Sequence, residues 1–121
     1  MTKALIVEDN RAMSDSLKMM LQLLDIQARQ AFTPRAALAT LEEGIPNIVF
    51  LDINLPSVDG FEVLGYIRRD PRLATVPVII VTSEDQPETF QRAKDGGAAA
   101  VVIKPATLET IELALRKVGL L

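Results

Sequence analysis

Four short apolar runs in this chain each stop abruptly at a group that binds metal or phosphate, and this punctuation narrows the choice of fold sharply. Ala4-Leu5-Ile6-Val7 stops at Glu8-Asp9, and Ile48-Val49-Phe50-Leu51 stops at Asp52. Val78-Ile79-Ile80-Val81 stops at Thr82-Ser83, and Val101-Val102-Ile103 stops at Lys104-Pro105. Continuous β-branched runs of this length are the pattern of strands buried on both faces of a parallel sheet. In open α/β sheets the ligand site lies just past the carboxyl ends of the strands. If the runs are parallel neighbours, three carboxylates, a hydroxyl and an ammonium converge on one rim. That inventory would hold a divalent cation and a phosphoryl group, with one carboxylate free to act as nucleophile.

The intervening segments have helical periodicity. After a first strand over 3–8, residues 10–24 place Met13, Leu17, Met20, Leu21 and Leu24 on one stripe at steps of three and four. Residues 25–32 alternate weakly and suit an edge strand. Thr33-Pro34 reads as an N-cap with proline at the first helical position, opening a helix that turns Ala37, Leu38 and Leu41 inward and stops at Gly44. A central strand over 47–52 leads into the turn-rich loop Asn54-Leu55-Pro56-Ser57-Val58-Asp59-Gly60. Phe61, Leu64 and Ile67 mark a third helix ending before Asp70-Pro71, and residues 77–82 form the fourth strand. The fourth helix, near 87–95, has only Phe90 and Ala93 as inward residues before Gly96-Gly97, so it should be the least firmly held. A fifth strand over 99–104 precedes a last helix capped by Thr107, with Leu108, Ile111, Leu115 and Val118 facing in.

Strands alternating with helices imply right-handed crossovers and a parallel sheet between two helical layers. Five such units fit a flavodoxin-like, doubly wound α/β sheet of order 2-1-3-4-5, an order favoured by the hydrophobic grading of the strands. With no linker or composition shift, residues 1–121 read as one domain. A hydrophobic share of 49 % beside 24 % charged residues is that of a globular chain. The net charge of −3 gives no reason to expect direct nucleic-acid binding. The chain has no cysteine and no histidine, which excludes disulfides, thiolate chemistry, imidazole bases and His-ligated zinc. No apolar stretch approaches a membrane span or a signal region, so the expected location is cytoplasmic, away from membranes.

At the rim, Glu8, Asp9 and Asp52 would crowd negative charge between the first and third strands. Each like-charge pair costs about 4 kcal/mol at ~4 Å and an effective dielectric near 20. A hard cation relieves this, and Mg2+ suits best because it takes one or two carboxylates and keeps several waters. The competing explanation is structural, with Asp9 capping a helix and Asp52 capping a turn. Lys104 alone would be an ordinary surface lysine; opposite three carboxylates it offsets repulsion and can grip a phosphoryl oxygen. A cis Lys104–Pro105 bond would turn that side chain back over the rim. Thr82 suits a strand end by propensity alone, or donates its hydroxyl to a phosphoryl oxygen beside the Ser83 N–H. Gly60, Gly96 and Gly97 are turn and cap glycines, and no Walker A or G-x-G-x-x-G pattern occurs.

Glu8-Asp9, Asp52, Thr82-Ser83 and Lys104-Pro105, each after its strand, resemble the receiver domain of two-component response regulators, the CheY-like fold. The stretch Leu51-Asp52-Ile53-Asn54-Leu55-Pro56 through Asp59-Gly60 is similar to that family's phosphoacceptor loop, and the likeness runs from Lys3 to Val118. The resemblance implies that Asp52 takes a phosphoryl group from the phosphohistidine of a sensor histidine kinase or phosphotransfer protein. It implies that Asp9, Asp52 and the backbone carbonyl of Asn54 hold magnesium, with Glu8 assisting through water, and that Lys104 and Thr82 bind the phosphoryl oxygens. It also implies that Asn54 and Glu84 influence how quickly water removes the phosphoryl group. The switched surface, around the fourth helix and fifth strand, would meet a downstream protein target or output domain.

The resemblance further implies a relay in which the threonine moves and an aromatic residue on the fifth strand rotates. The matching positions are Thr82 and Val101, and valine is too short and stiff for such a swing. Two other functions compete. An aspartyl-nucleophile phosphohydrolase would normally carry an acid/base aspartate two residues after the nucleophile, where Asn54 stands, and would need a substrate cap. A non-phosphorylated interaction module would normally have lost a rim residue, yet all are present. Flavin binding is weaker still, with one tyrosine and no tryptophan.

Overall fold

The computed structural model describes residues 1–121, and its chain alternates strand and helix throughout. The order is β1 (Lys3–Val7), α1 (Arg11–Leu23), β2 (Gln27–Ala31), α2 (Pro34–Glu43), β3 (Ile48–Asp52) and α3 (Gly60–Arg69). A short 3-10 turn, Pro71–Leu73, precedes β4 (Val78–Thr82), α4 (Pro87–Asp95), β5 (Ala100–Ile103) and α5 (Leu108–Lys117). All five strands are parallel, in the flavodoxin-like order β2-β1-β3-β4-β5 expected from the sequence. No helix is long and apolar enough to cross a membrane.

The period of two along the strands divides the core. Leu5, Val7, Val49, Leu51, Val78 and Ile80 pack under α2, α3 and α4 against Ala37, Leu41, Val63, Leu64, Ile67 and Ala93. Ala4, Ile6, Ile48, Phe50, Ile79, Val81 and Val102 pack under α1 and α5 against Leu17, Leu21, Ile111, Ala114 and Leu115. Phe50, Leu51, Ile79 and Ile80 are sealed from solvent. Burying one such side chain contributes about 1.5–3 kcal/mol. β2, with exposed Gln27 and Arg29, is the polar edge.

Several helical faces differ from the apolar stripes read off the sequence, and on α1 and α4 the reason is that a small polar residue takes a core position. On α1 the buried stripe is Ser14, Leu17 and Leu21, with the Ser14 hydroxyl accepting from Gln30 Nε2 at 2.9 Å. Met13 is consequently rotated outward. On α4 the buried pair is Thr89 and Ala93, one helical turn apart, which leaves Phe90 40 % exposed where the sequence suggested an inward residue. On α5 the face is Ile111, Ala114 and Leu115, and Leu108 lies at its outer edge. β2 starts later than residue 25 because Asp25 is left-handed (φ 61°) and closes α1, with the Ile26 N–H returning to the Leu21 carbonyl at 2.9 Å. Gly44 ends α2 with extended backbone (φ −178°) and not in a left-handed cap.

Candidate functional site

Strand register decides which residues meet at the carboxyl rim. Val7 lies opposite Leu51, Asp52 opposite Val81, and Thr82 opposite Ile103. The next residues outward, Glu8, Asp52, Thr82-Ser83 and Lys104, therefore emerge side by side. The chain leaves β3 into a loop whose ends are held together by an isolated bridge between Asn54 and Asp59. Asp59 caps α3, accepting from the Phe61 N–H at 2.9 Å. Gly60 is needed there for closeness: an added Cβ would stand 2.3 Å from Ile53 Cα and 2.7 Å from the Asp52 carbonyl. The start of α3 is thus pressed against the end of the strand that carries Asp52.

Carboxylate oxygens of Glu8, Asp9 and Asp52 lie within 4.8 Å of one another. Glu8 and Asp52 are buried and Asp9 is exposed. Lys104 Nζ sits 2.8 Å from Glu8 Oε1 and 3.3 Å from Asp52 Oδ2, with only 15 % of its side chain exposed. The Lys104–Pro105 peptide is cis, as the sequence suggested. Burial, chiefly, pushes the Glu8 carboxyl up to about 7; proximity to Asp52 adds to this, while Lys104 and the Asn10 N–H pull it back. Burial alone would lower the Lys104 pKa, but the bond to Glu8 and the charges of Asp52 and Glu8 raise it on balance. One ammonium faces three carboxylates, so the rim keeps a net negative charge suited to a hard divalent cation.

The remaining groups form a hydrogen-bonded chain. Asp52 Oδ1 accepts from the Asn54 N–H at 2.9 Å. The Asn54 side chain accepts from the Thr82 hydroxyl at 2.9 Å and donates to Glu84 Oε2 at 2.8 Å. Thr82 Oγ1 in turn accepts from the Glu84 N–H at 3.0 Å, and Thr82 is fully buried. Ser83 is exposed beside it. Val101, three residues before Lys104, lies lower on β5 opposite Ile80, partly buried against the core under α3 and α4. Beside Asp52, a cleft of about 240 Å³ runs between α1 and the Lys104-Pro105-Ala106 turn, lined by Met13, Leu17, Met20 and Phe50 among others.

Two arginines escaped the sequence reading because a charged residue within an amphipathic helix carries no signal of its partner. Arg68 of α3 donates to the carbonyls of Gly97, Leu73, Ala74 and Val76. Arg92 of α4 pairs with Asp59 at 3.1 Å and lies over the Phe61 ring at 4.2 Å.

Comparison with known proteins agrees with this geometry. The family model for the response regulator receiver domain matches residues 4–116. The polar-differentiation response regulator DivK of Brucella ovis is 32% identical over 120 residues, covering 93% of this chain and 95% of DivK. The DNA-binding dual master transcriptional regulator RpaA of Synechocystis is 33% identical over 109 residues, which is 90% of this chain but 45% of RpaA. This chain therefore spans less than half the length of that relative. The chemotaxis protein CheY4 of Vibrio cholerae superposes with a TM-score of 0.92 at 29% identity, over 98% of both chains. A parallel 2-1-3-4-5 sheet with an acidic cluster and a lysine at its carboxyl rim, matched over nearly its whole length, makes this chain a member of the response-regulator receiver-domain family, the switches of two-component signalling.

Proposed function

We propose that this domain, taken as one unit over residues 1–121, is a switch in which Asp52 accepts a phosphoryl group from the phosphohistidine of a sensor histidine kinase or phosphotransfer protein, in a magnesium-dependent reaction. The observation that carries this reading is the Lys104 ammonium resting on both Glu8 and Asp52 within a three-carboxylate cluster. An oxygen of Asp52 forms the new bond to phosphorus as the P–N bond to the donor imidazole breaks, and the electron pair stays on the ring nitrogen. The product is an acyl phosphate. A loose phosphoryl transition state asks chiefly for positioning and charge neutralisation, not for a general base.

The donor set is all oxygen and anionic, which fits a hard cation of magnesium's kind. Asp9 and Asp52 with the Asn54 carbonyl would hold it, and Glu8 would assist through water. When bound, magnesium supplies positive charge next to the carboxylates and the transferred oxygens. Lys104, the Thr82 hydroxyl and the Ser83 N–H would bind the phosphoryl oxygens, so Thr82 would give up its bond to Asn54. Asn54 and Glu84, joined to each other beside Asp52, stand where they would control the approach of hydrolytic water. Thr82 movement would shift α4 and β5, with Val101 at the position where the relay needs an aromatic side chain, and so alter a docking surface for a downstream protein or output domain.

The test is incubation with magnesium and acetyl phosphate followed by intact-mass measurement. A gain of one phosphoryl group in the native protein and in Ser57→Ala, absent from Asp52→Ala, is the expected result. No gain in the native protein, or a gain that survives Asp52→Ala, overturns the reading.

A further inference from the structure

We infer that Arg92 is a latch that couples the position of α4 to the loop following Asp52; the inference rests on the phosphoryl-switch reading above. The helix it would hold is weakly anchored by everything else. α4 has no side-chain N-cap bond at Gln86, begins at Pro87, and buries only Thr89 and Ala93. Its far end is tethered through the Gly97 carbonyl, which Arg68 Nε reaches at 3.0 Å.

In the last turn of α4, Arg92 makes both of its side-chain contacts at the start of α3, with the N-cap Asp59 and with Phe61. Its Nη2 lies 3.1 Å from Asp59 Oδ2, and its guanidinium covers Phe61 at 4.2 Å. Asp59 uses the other oxygen to cap α3, so one carboxylate fixes the helix start and the arginine at once. Asp59 is also bridged to Asn54, whose side chain holds the Thr82 hydroxyl and whose N–H holds Asp52. A continuous set of contacts thus runs from Asp52 and Thr82 through Asn54 to Asp59, and across to Arg92. A change of partner at Thr82 alters Asn54, and the loop that ends at Asp59 carries the change to α4. This route uses no aromatic residue on β5, where Val101 is too short to move as one.

Exposed ion pairs and stacked arginines are individually weak, so the latch should act by shifting populations and not by locking the helix. Breaking it should speed amide exchange of residues 87–95 about threefold to tenfold and leave the central strands unchanged.

The experiment is amide NMR and hydrogen exchange on the whole chain, with and without magnesium and beryllofluoride, for native protein, Arg92→Ala and Asp59→Asn. Asparagine caps a helix as well as aspartate, so Asp59→Asn removes the ion pair while keeping the start of α3. In the native protein beryllofluoride should shift amides at 52–54, at 82–83 and along 87–95 together. In both variants the shifts at 52–54 and 82–83 should persist while those along 87–95 fall by about half or more. Equal α4 shifts in native protein and variants overturn the latch. Absence of any beryllofluoride response in the native protein overturns the phosphoryl-switch reading instead, so the two failures are distinguishable.

Discussion

Glu8 shows how one side chain carries the tension at the rim. It is almost fully buried among Asp9, Asp52 and Lys104, and its carboxyl is raised to about 7 chiefly by that burial. A raised folded-state pKa means that the folded protein holds the proton more tightly than the unfolded chain. Its contribution is therefore complete below about 4.5 and is lost as pH rises through about 7, a difference of at most about 3 kcal/mol. In chelator, thermal unfolding of the native protein should show falling stability between pH 5 and pH 8, and Glu8→Gln should flatten that dependence. A Glu8→Gln protein less stable than the native one at pH 8 would mean that the bond to Lys104 outweighs the burial. Gly60 makes a different demand. Its missing Cβ lets α3 begin against Ile53 and the Asp52 carbonyl, so Gly60→Ala must displace backbone and not a flexible side chain. We expect Gly60→Ala to cost about 1–3 kcal/mol in urea unfolding and to slow acetyl-phosphate uptake at Asp52 even where the protein is folded.

Among the elements, α4 is held by few contacts, and the sequence disclosed this only in part. Its end near residue 95 was legible from the Gly96-Gly97 pair, because glycine acts locally. Its inner face was not, because Thr89 looks polar in sequence and is buried, while Phe90 looks apolar and projects outward. The same confusion affected Ser14 and Met13 on α1, where a cross-element bond from Gln30 decides the matter. Contacts between distant residues leave no periodic trace, which is why neither arginine stood out. Arg68 gathers four carbonyls from the ends of three segments, and its partial burial without an ion pair lowers its pKa. Arg68→Ala should destabilise the fold by about 2 kcal/mol or more, since the carbonyls lose a charged donor. Arg68→Lys should recover little of this, because a point charge cannot reach four acceptors as a planar fork can. Urea midpoints together with exchange at residues 73–77 and 96–98 check both variants.

For the molecule as a whole, an apolar interior supports a rim that is electrostatically unfavourable. The meeting of Glu8, Asp9, Asp52 and Lys104 was legible because buried parallel strands align their carboxyl ends, whereas the sheet order was only favoured by the hydrophobic grading of the strands. The Thr82–Asn54–Glu84 bonding was not legible, since it depends on how a loop folds back. A cation bound at the rim acts on the entire folding equilibrium, because the unfolded chain offers no comparable cluster. At a free magnesium level about a hundred times Kd, such binding would add about 2.7 kcal/mol of stability. For a domain of this size that corresponds to a rise in Tm on the order of 10 °C. Asp9→Asn should remove most of that rise, and should itself raise Tm in chelator by relieving repulsion against Asp52 and Glu8. Calorimetry of both proteins with EDTA and with magnesium at pH 8 gives four Tm values. The expected order is native with EDTA lowest and native with magnesium highest, with the two Asp9→Asn values close together between them. A native protein indifferent to magnesium, or an Asp9→Asn protein less stable than the native one in EDTA, would show that the cluster is satisfied by Lys104 alone.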